Sequence, residues 1–490
     1  MGDPAFPATE AGSRGQLGPA VNSRRADRWA TVLATILVFA IALAGAVYLP
    51  VRFGPLIGQS AHPSIRGYLV LGLCDVFAAW LAAFLARRGA LSLGLILALA
   101  ALTRLAFLAA RVATGSLSLD QDMSLYLQYG QALLAGHYPD MEYPQGALLL
   151  FAALAAVARL ASSNVAAGFA FVLPLAMLVC DLALIASLFW LAGPTSGGVS
   201  LPATGTSIIA DRRPLALTIA AVYALTPFTL LLWSLRFDSA AASLLALGLV
   251  LFALDRPKLS ALALAAGCLI KWFPAVAVPF LLVSLLRERR WRSATELAGV
   301  FGGVVAAVAL PFLVASPAAF IHTYLFHATR PLMGESLLYL PARYLLGGAR
   351  IAPGGPPWSE VGGGLLTSGA ATVLQMAALG VLLFLAVRFG RDRWSAVVFG
   401  AVGATLFILL NRVFSPQYVV TLLAAFGVSL IALRPGTKRI WVAPPLLVAL
   451  TLANYLVWPV WWTGWLTASA LFHGLCLLLA GYLTLRACRD

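Results

Sequence analysis

Four carboxylates lie within one polar stretch, residues 116–146, of an otherwise apolar chain. They are Asp120, Asp122, Asp140 and Glu142, four of the 18 acidic residues in the protein. A carboxylate in such a position can take a proton from a substrate hydroxyl and so act as a general base. The same stretch also contains Tyr126, Tyr129, Tyr138 and Tyr143.

The same acids also fit a purely structural role. Apolar residues recur at helical spacing from Met123 to Leu134, and Gly136 follows as a stop signal. This pattern predicts a short helix lying along the membrane surface. Asp120 and Asp122 stand at its start, where acids cap backbone N–H groups and complement the helix dipole. The stretch alone leaves both roles open.

Composition places the chain in the membrane. Its 490 residues are 61% hydrophobic and only 10% charged, with a mean hydropathy of +0.92, whereas soluble proteins carry about a quarter charged residues. We therefore expect an all-α polytopic integral membrane protein without a separate globular domain. The net charge of +15 does not indicate nucleic-acid binding, because Lys and Arg lie in short runs that flank apolar segments, as in cytoplasmic loops. The five cysteines show neither metal-binding nor disulfide spacing.

Apolar runs of about 20 residues can each span a bilayer. Counting them predicts about 12 full spans plus one broken hairpin, with both termini in the cytoplasm. Residues 1–28 are expected to be a disordered cytoplasmic tail, residues 29–90 two additional N-terminal helices, and residues 91–490 the main transmembrane domain. The short run 147–160 is interpreted as interfacial or re-entrant, because a crossing there would place the basic loop 211–213 outside.

The broken hairpin is predicted from residues 259–286. Basic runs on both sides of this apolar segment favour the cytoplasm, so the segment has to enter the membrane and return. Pro274 cannot continue a helix, and each arm would reach only about 20 Å at 1.5 Å per residue. Lys271 would then lie at the outer tip. An intramembrane lysine is a candidate functional residue, and a lysine that extends to the interface is the structural alternative.

The remaining polar clusters all fall on the predicted outer side. They are Asp120/Asp122, Arg236/Asp238, Lys271, His327/Arg330/Glu335 and Arg412/Gln417. A transporter would concentrate its charges between helices near the middle of the membrane, so this distribution favours an outward-facing site above an apolar body.

Several of these residues could instead have structural roles. Arg330 and Glu335 could form an exposed ion pair of small energetic value, and Gln417 with Tyr418 could fix the turn at Pro416. For His322 and His327 a structural or acceptor-contact role is favoured over metal binding. A further set lies inside predicted spans and is expected to hold helices together: Asp75, Arg104 and Asp181.

Four segments together resemble a known family. The pattern Asp122-x-x-x-Tyr126, Gly136-x-Tyr138-Pro139, Tyr143-Pro144 resembles the first external loop of GT-C membrane glycosyltransferases. Residues 267–274 resemble a G-x-x-x-K-x-x-P segment, residues 330–336 an R-x-x-x-x-E-S loop, and residues 413–418 match V-F-S-P-Q-Y. This combination is similar to glycosyltransferase family 87, the polyprenol-phosphate-mannose-dependent mannosyltransferases. The resemblance covers residue 91 to the C-terminus and departs at Gln145, where Y-P-P is common.

The resemblance implies a GT-C-like fold in a cytoplasmic (inner) membrane. It also implies inverting transfer of a hexose, with mannose as the first choice, from a polyprenyl phosphate to an extracytoplasmic lipid or glycan acceptor. Asp122, or second to it Asp120, would be the general base. Lys271, Arg330 and Arg412 would bind the donor phosphate. The residues expected to bind substrate are Tyr126, Tyr143, Asp238, His327, Glu335, Gln417 and Tyr418.

Two other functions are compatible with the sequence. One is a transporter or flippase for lipid-linked sugars that carries out no catalysis; the other is a GT-C enzyme that uses another polyprenyl-phosphate sugar, such as arabinofuranose or glucose. The chain has no Walker loop and no dinucleotide-binding glycine turn, which argues against cytoplasmic nucleotide-sugar use and against an ATP-driven pump. No cofactor or nucleic-acid partner is expected, and no paired-carboxylate metal signature stands out, which favours a metal-independent reaction without deciding it.

Overall fold

The chain folds into helices. The computed structural model describes residues 18–53, 65–192, 206–226, 230, 232–330, 332, 335–339, 365–433, 439–457 and 465–489, and no strand occurs in these ranges. The first helices are α1 Gly18–Phe53, α2 Ile65–Arg87, α3 Leu93–Ala113, α4 Gln121–Leu134, α5 Gln145–Ala161, α6 Val165–Trp190 and α7 Thr206–Leu225. The next are α8 Asp238–Ala253, α9 Pro257–Ile270, α10 Val278–Arg287, α11 Trp291–Ala315 and α12 Pro317–Thr329. The last are α13 Leu365–Phe389, α14 Arg393–Leu409, α15 Val419–Ala432, α16 Arg439–Tyr455 and α17 Trp465–Arg489.

Within the described ranges, 7 helices are long and apolar enough to cross a membrane. They are α1, α2, α3, α6, α11, α13 and α17. This confirms the prediction of an all-α chain with the character of a polytopic membrane protein. Other apolar helices, among them α5, α8, α14 and α16, have 10–17 residues. A helix of 17 residues reaches about 25 Å, less than the hydrocarbon core of about 30 Å. The count of about twelve spans therefore stays a prediction.

The N-terminal helix is longer than the sequence suggested. It begins at Gly18, so residues 18–28, predicted to be a disordered tail, are helical. Pro19 lies in the first turn, where proline has no hydrogen bond to lose. Residues 1–17 lie outside the described part of the chain. Helices α1 and α2 pack against each other and against α3, α7 and α16, and the domain boundary at residue 90 stays a prediction.

The interior is built around α8, α14 and α15. All residues of α15 are buried, and α8 and α14 are buried along most of their length. By contrast, Ala294 and Leu297 are the buried residues of α11, whose apolar side chains therefore face outward. Such a helix suits a lipid environment, in which apolar surface needs no protein cover.

A buried ion pair ties three helices together, as expected for Arg104 and Asp181. Arg104 Nη2 of α3 lies 2.7 Å from Asp181 Oδ2 of α6, and both side chains are fully buried. Tyr223 of α7 donates to the other carboxylate oxygen at 2.7 Å. Because a buried charge is tolerated when it is paired and hydrogen-bonded, these residues stabilise the packing of the helices.

Residues 259–286 form two helical arms with a break between them, as the sequence predicts, whereas the entry of these arms into a membrane stays a prediction. Helix α9 ends at Ile270, a 3-10 helix follows at Phe273–Ala277, and α10 continues from Val278. The two ends of the segment meet again: Arg290 pairs with Asp255 at 2.6 Å, and Lys258 pairs with Glu296 at 3.3 Å. The chain thus enters and returns to the same end of the bundle, with Lys271 at the tip.

Candidate functional site

Helix α4 carries the first two acids of the site. The Asp120 side chain is its N-cap, with Oδ1 accepting from the Met123 backbone N–H at 2.8 Å. Gly136 follows the helix at φ +81°, a left-handed conformation that favours glycine. The predicted helix and the capping role of Asp120 are both confirmed.

Helix α4 lies unusually close to α5. A Cβ at Gly130 would lie 2.4 Å from the Phe151 carbonyl oxygen, so only glycine allows this approach. The contact fixes the distance between α4 and α5, and with it the positions of Asp120 and Asp122 relative to Phe151 of α5.

Both acids share one arginine. Arg236 Nη1 lies 2.5 Å from Asp120 Oδ2, and its Nη2 lies 2.9 Å from Asp122 Oδ2. Both oxygens of Asp120 are therefore engaged, and that side chain is 11% exposed, whereas the Asp122 side chain is 41% exposed. Asp122 is thus the accessible carboxylate and Asp120 the structural one.

The electrostatic environment of Asp122 suits a base. Partial burial raises the pKa of its carboxyl, Arg236 and Lys271 lower it, and Asp120 and Glu142 raise it, with a net upward shift. A carboxylate whose pKa lies above its ordinary value accepts a proton more readily.

Lys271 is buried in an ion pair at the hairpin tip. Its Nζ lies 2.7 Å from Asp238 Oδ1, and the side chains are 8% and 2% exposed. The ammonium also lies 4.6 Å from the ring centre of Phe237 and 5.0 Å from that of Tyr418, within cation–π range. Lys271 therefore does not extend to an interface. Asp238, predicted to bind substrate, neutralises Lys271.

Glu142 joins the acidic loop to the end of α12. Arg330 Nη1 lies 3.2 Å from Glu142 Oε2, and His327 Nε2 donates to the Glu142 carbonyl oxygen at 2.6 Å. Burial lowers the pKa of His327, so the ring is neutral at pH 7 with its proton on Nε2.

Glu335 has different surroundings. Arg330 pairs with Glu142, and burial is the cause that raises the pKa of Glu335, to about 8. Its backbone oxygen accepts from Ser469 Oγ of α17 at 3.1 Å. The suggested Arg330–Glu335 pair is thus replaced by Arg330–Glu142. Residues 331, 333 and 334 of that motif lie outside the described residues.

The segment before α15 contributes one ring to the site. The Pro416–Tyr418 3-10 helix places the Tyr418 ring on Lys271. Gln417 Oε1 accepts from Ser415 Oγ, which supports its alternative role in fixing the turn. Arg412 donates to the Arg330 carbonyl oxygen at 3.4 Å and to Thr372.

Four aromatic rings, those of Tyr126, Tyr143, Phe151 and Phe237, pack together next to the charged residues. The ring centre of Phe237 lies 5.0 Å from those of Tyr126, Tyr143 and Phe151. Tyr126 is fully buried and stacks on Phe151 at 4.7 Å. Because Phe237 lies between Arg236 and Asp238 in the chain, the packing of its ring fixes the positions of both charged neighbours.

These groups form one charge cluster, which we define as Asp120, Asp122, Glu142, Arg236, Asp238, Lys271 and Arg330. Glu142 and Lys271 act on the pKa of Asp122; Asp238, Arg330, Glu142 and Asp122 act on that of Tyr418. The cluster holds four carboxylates and three cations, joined by ion pairs. In the described part of the chain, no group of three or more His, Cys, Asp or Glu side chains could hold a metal ion.

Arg236 is the member whose role was missed. The sequence places it on the outer side but gives no reason to join it to Asp120 and Asp122. Its one signal is its position beside Asp238 at the start of an apolar helix, on the same predicted side as the acidic loop.

Comparison with known proteins adds no relative. The chain matches no protein-family model, and no curated protein matches it at a significant level.

Proposed function

We propose that the chain is a membrane glycosyltransferase of GT-C type. It would transfer a hexose, mannose first, from a polyprenyl-phosphate donor to a lipid or glycan acceptor on the extracytoplasmic side. The observation that supports this proposal is the charge cluster, in which an accessible carboxylate, Asp122, pairs with Arg236 and lies close enough to Lys271 for the ammonium to lower its pKa. The motif resemblance to family 87 supplies the substrate class.

In the proposed step, the acceptor hydroxyl displaces the polyprenyl phosphate from the anomeric carbon of the donor sugar. Asp122 removes the proton of the acceptor hydroxyl as its oxygen attacks the anomeric carbon. The bond from that carbon to the phosphate oxygen breaks, and the polyprenyl phosphate leaves with the electron pair. Attack from the opposite face inverts the anomeric configuration.

Cations stabilise the charge that develops on the departing phosphate. Arg330 is 21% exposed, and both Arg330 and Lys271 lie close enough to His327 to lower its pKa. The Lys271 ammonium has three donors, one of which is used by Asp238. Arg236 holds Asp122 by one oxygen, so it is a positioning residue.

The first test is Asp122→Asn. Membranes containing either form would receive radiolabelled polyprenyl-phosphate-mannose and a crude lipid acceptor extract. Because general-base catalysis contributes about 10²–10⁴-fold, we expect transfer to fall by at least about 100-fold. Asp140→Asn is the matched control, since Asp140 is an exposed acid of the same stretch, and it should transfer normally.

Other results would point elsewhere. Transfer that persists in Asp122→Asn would remove Asp122 as the base. Label that crosses the membrane without a transferred product, equally in both forms, would indicate a lipid-linked sugar transporter. Transfer only from polyprenyl-phosphate arabinofuranose or glucose would keep the enzyme and change the sugar.

A further inference from the structure

We propose that a patch of aromatic side chains beside the charge cluster binds a sugar ring of the acceptor. The sugar-binding patch is defined as Tyr138, Trp272, Phe320 and Tyr324 around the amide of Gln145. As an acceptor subsite it rests on the proposed function, and it narrows the acceptor to one that already carries a sugar.

The rings of the patch come from three different elements. Trp272 is at the hairpin tip, and its ring centre lies 4.7 Å from that of Tyr324 on α12. Phe320, one turn earlier on α12, lies 5.1 Å from Tyr324. Tyr324 is 40% exposed, and Trp272, Phe320 and Tyr138 are partly exposed. The patch is therefore open to a ligand.

Gln145 supplies the polar group at the base of the patch. The residue is 1% exposed, and its Nε2 donates to Tyr138 Oη at 3.1 Å. Its Oε1 is buried and has no hydrogen-bond partner. A buried amide oxygen without a donor is costly, and such groups in folded proteins call for an explanation. A ligand hydroxyl would satisfy it.

The Tyr324 hydroxyl lies next to the Gln145 amide. Burial raises the pKa of this hydroxyl, as do Cys268 and Tyr138, whereas a hydrogen bond with the Gln145 side chain lowers it, with a net upward shift. The phenol thus remains protonated at pH 7 and can donate or accept a hydrogen bond.

The patch is continuous with the charge cluster. Trp272 directly follows Lys271, and Tyr324 lies one turn before His327, which bonds to Glu142. The start of α5 is held against the hairpin arm, because a Cβ at Gly146 would lie 2.7 Å from the Leu269 carbonyl oxygen. A ring in the patch would therefore lie next to the reacting groups.

The chemistry of the patch fits a carbohydrate. Ring faces cover the apolar C–H face of a sugar, while a few convergent polar groups hold its hydroxyls. Aromatic residues also gather at membrane–water interfaces simply as anchors. An anchor needs no unpaired amide at its base, and so the two roles predict different binding results.

Saturation-transfer NMR on the purified full chain in detergent, without donor, tests the patch. The probes are free α-mannotriose and maltotriose. We expect at least one of them to bind, and we expect its affinity to fall about tenfold or more in Trp272→Ala and Gln145→Ala. Trp291→Ala is the matched control, since Trp291 is 63% exposed at the far end of α11, and its affinity should equal that of the wild type.

Tyr324→Phe, which removes only one hydroxyl, serves if an alanine variant fails to fold; it should also bind more weakly than Tyr482→Phe on α17. The inference is overturned if neither probe binds the wild type, or if the patch variants bind as the wild type does. Asp122→Asn should retain sugar binding. Sugar binding without any transfer activity would therefore count against the proposed enzyme and not against the patch.

Discussion

Asp120 and Asp122 are two residues apart and chemically alike, yet the fold gives them different tasks. Asp120 caps α4 with one oxygen and binds Arg236 with the other. Asp122 binds Arg236 with one oxygen and keeps an exposed side chain. The capping interaction explains why Asp120 belongs to the framework, since loss of an N-cap costs about 1 kcal/mol of stability.

The pH dependence of transfer should move in opposite directions in two variants. Arg236 lowers the pKa of Asp122 and Asp120 raises it. A base works when deprotonated, so the rate rises with pH through its pKa. Arg236→Gln should shift this rising limb to higher pH, and Asp120→Asn should shift it to lower pH. The measurement is the pH profile of kcat/KM.

Arg159→Gln is the control, because Arg159 is an exposed arginine of α5, and its profile should match the wild type. Shifts of the same sign in both variants would contradict the assignment of Asp122 as the titrating group, since a general loss of structure would not separate the two directions.

Sequence reasoning located the residues better than their partners. The acidic stretch and Lys271 could be found because charge is rare in this chain and Pro274 marks the break. The ion pair of Arg236 with Asp120 joins residues 116 positions apart, and nothing in either local pattern indicates it. For the same reason, nothing in the sequence indicates that one oxygen of Asp238 binds Lys271; the contact of Asp238 with substrate stays a prediction.

At the scale of elements, a buried ion pair joins the tip of the hairpin to the start of α8, in addition to the packing of α9 along α8. Lys271 terminates α9, and Asp238 begins α8. Removing one partner of a buried pair leaves a charge uncompensated and costs about 3–5 kcal/mol, whereas replacing both with apolar residues is often neutral.

We therefore expect Lys271→Met and Asp238→Leu each to lower the melting temperature of the detergent-solubilised protein. The double variant should recover most of that loss but show no transfer, because the donor phosphate loses its cation. Thermal unfolding and the transfer assay measure the two effects separately. A double variant that is as unstable as either single one would show that the pair does not hold these elements together, and an active double variant would remove Lys271 from phosphate binding.

The lengths of the elements were harder to predict than their existence. Apolar runs mark where helices lie, but they do not mark where helices begin and end. Helix α14, for example, is apolar but has only 17 residues, fewer than the roughly 20 that a full span needs. Conversely, residues 18–28 are polar and read as a tail, although they extend α1. Hydropathy therefore identified the chain as a membrane protein. It also predicted more spans than there are long apolar helices in the described residues.

At the scale of the whole molecule, the charge cluster and the basic loops should face opposite sides. Single cysteines at Lys258, Arg292 and Asp140 in a cysteine-free background test this. Lys258 and Arg292 both pair with Glu296, so they lie at one end of the bundle. A membrane-impermeant maleimide applied to intact cells should label position 140, and positions 258 and 292 only after permeabilisation. Labelling of 258 together with 140 in intact cells would contradict the topology.

The Lys271–Asp238 pair also has a consequence for biosynthesis. Asp238 leaves the ribosome 33 residues before Lys271, so α8 emerges from the ribosome before its counter-charge does. Burying the Asp238 carboxylate without that partner costs free energy. Asp238 should therefore stay in contact with water at the insertion machinery until Lys271 arrives. Helix α8 and the hairpin would then enter the bilayer as one unit, and the charge cluster would assemble only when translation has passed the hairpin tip.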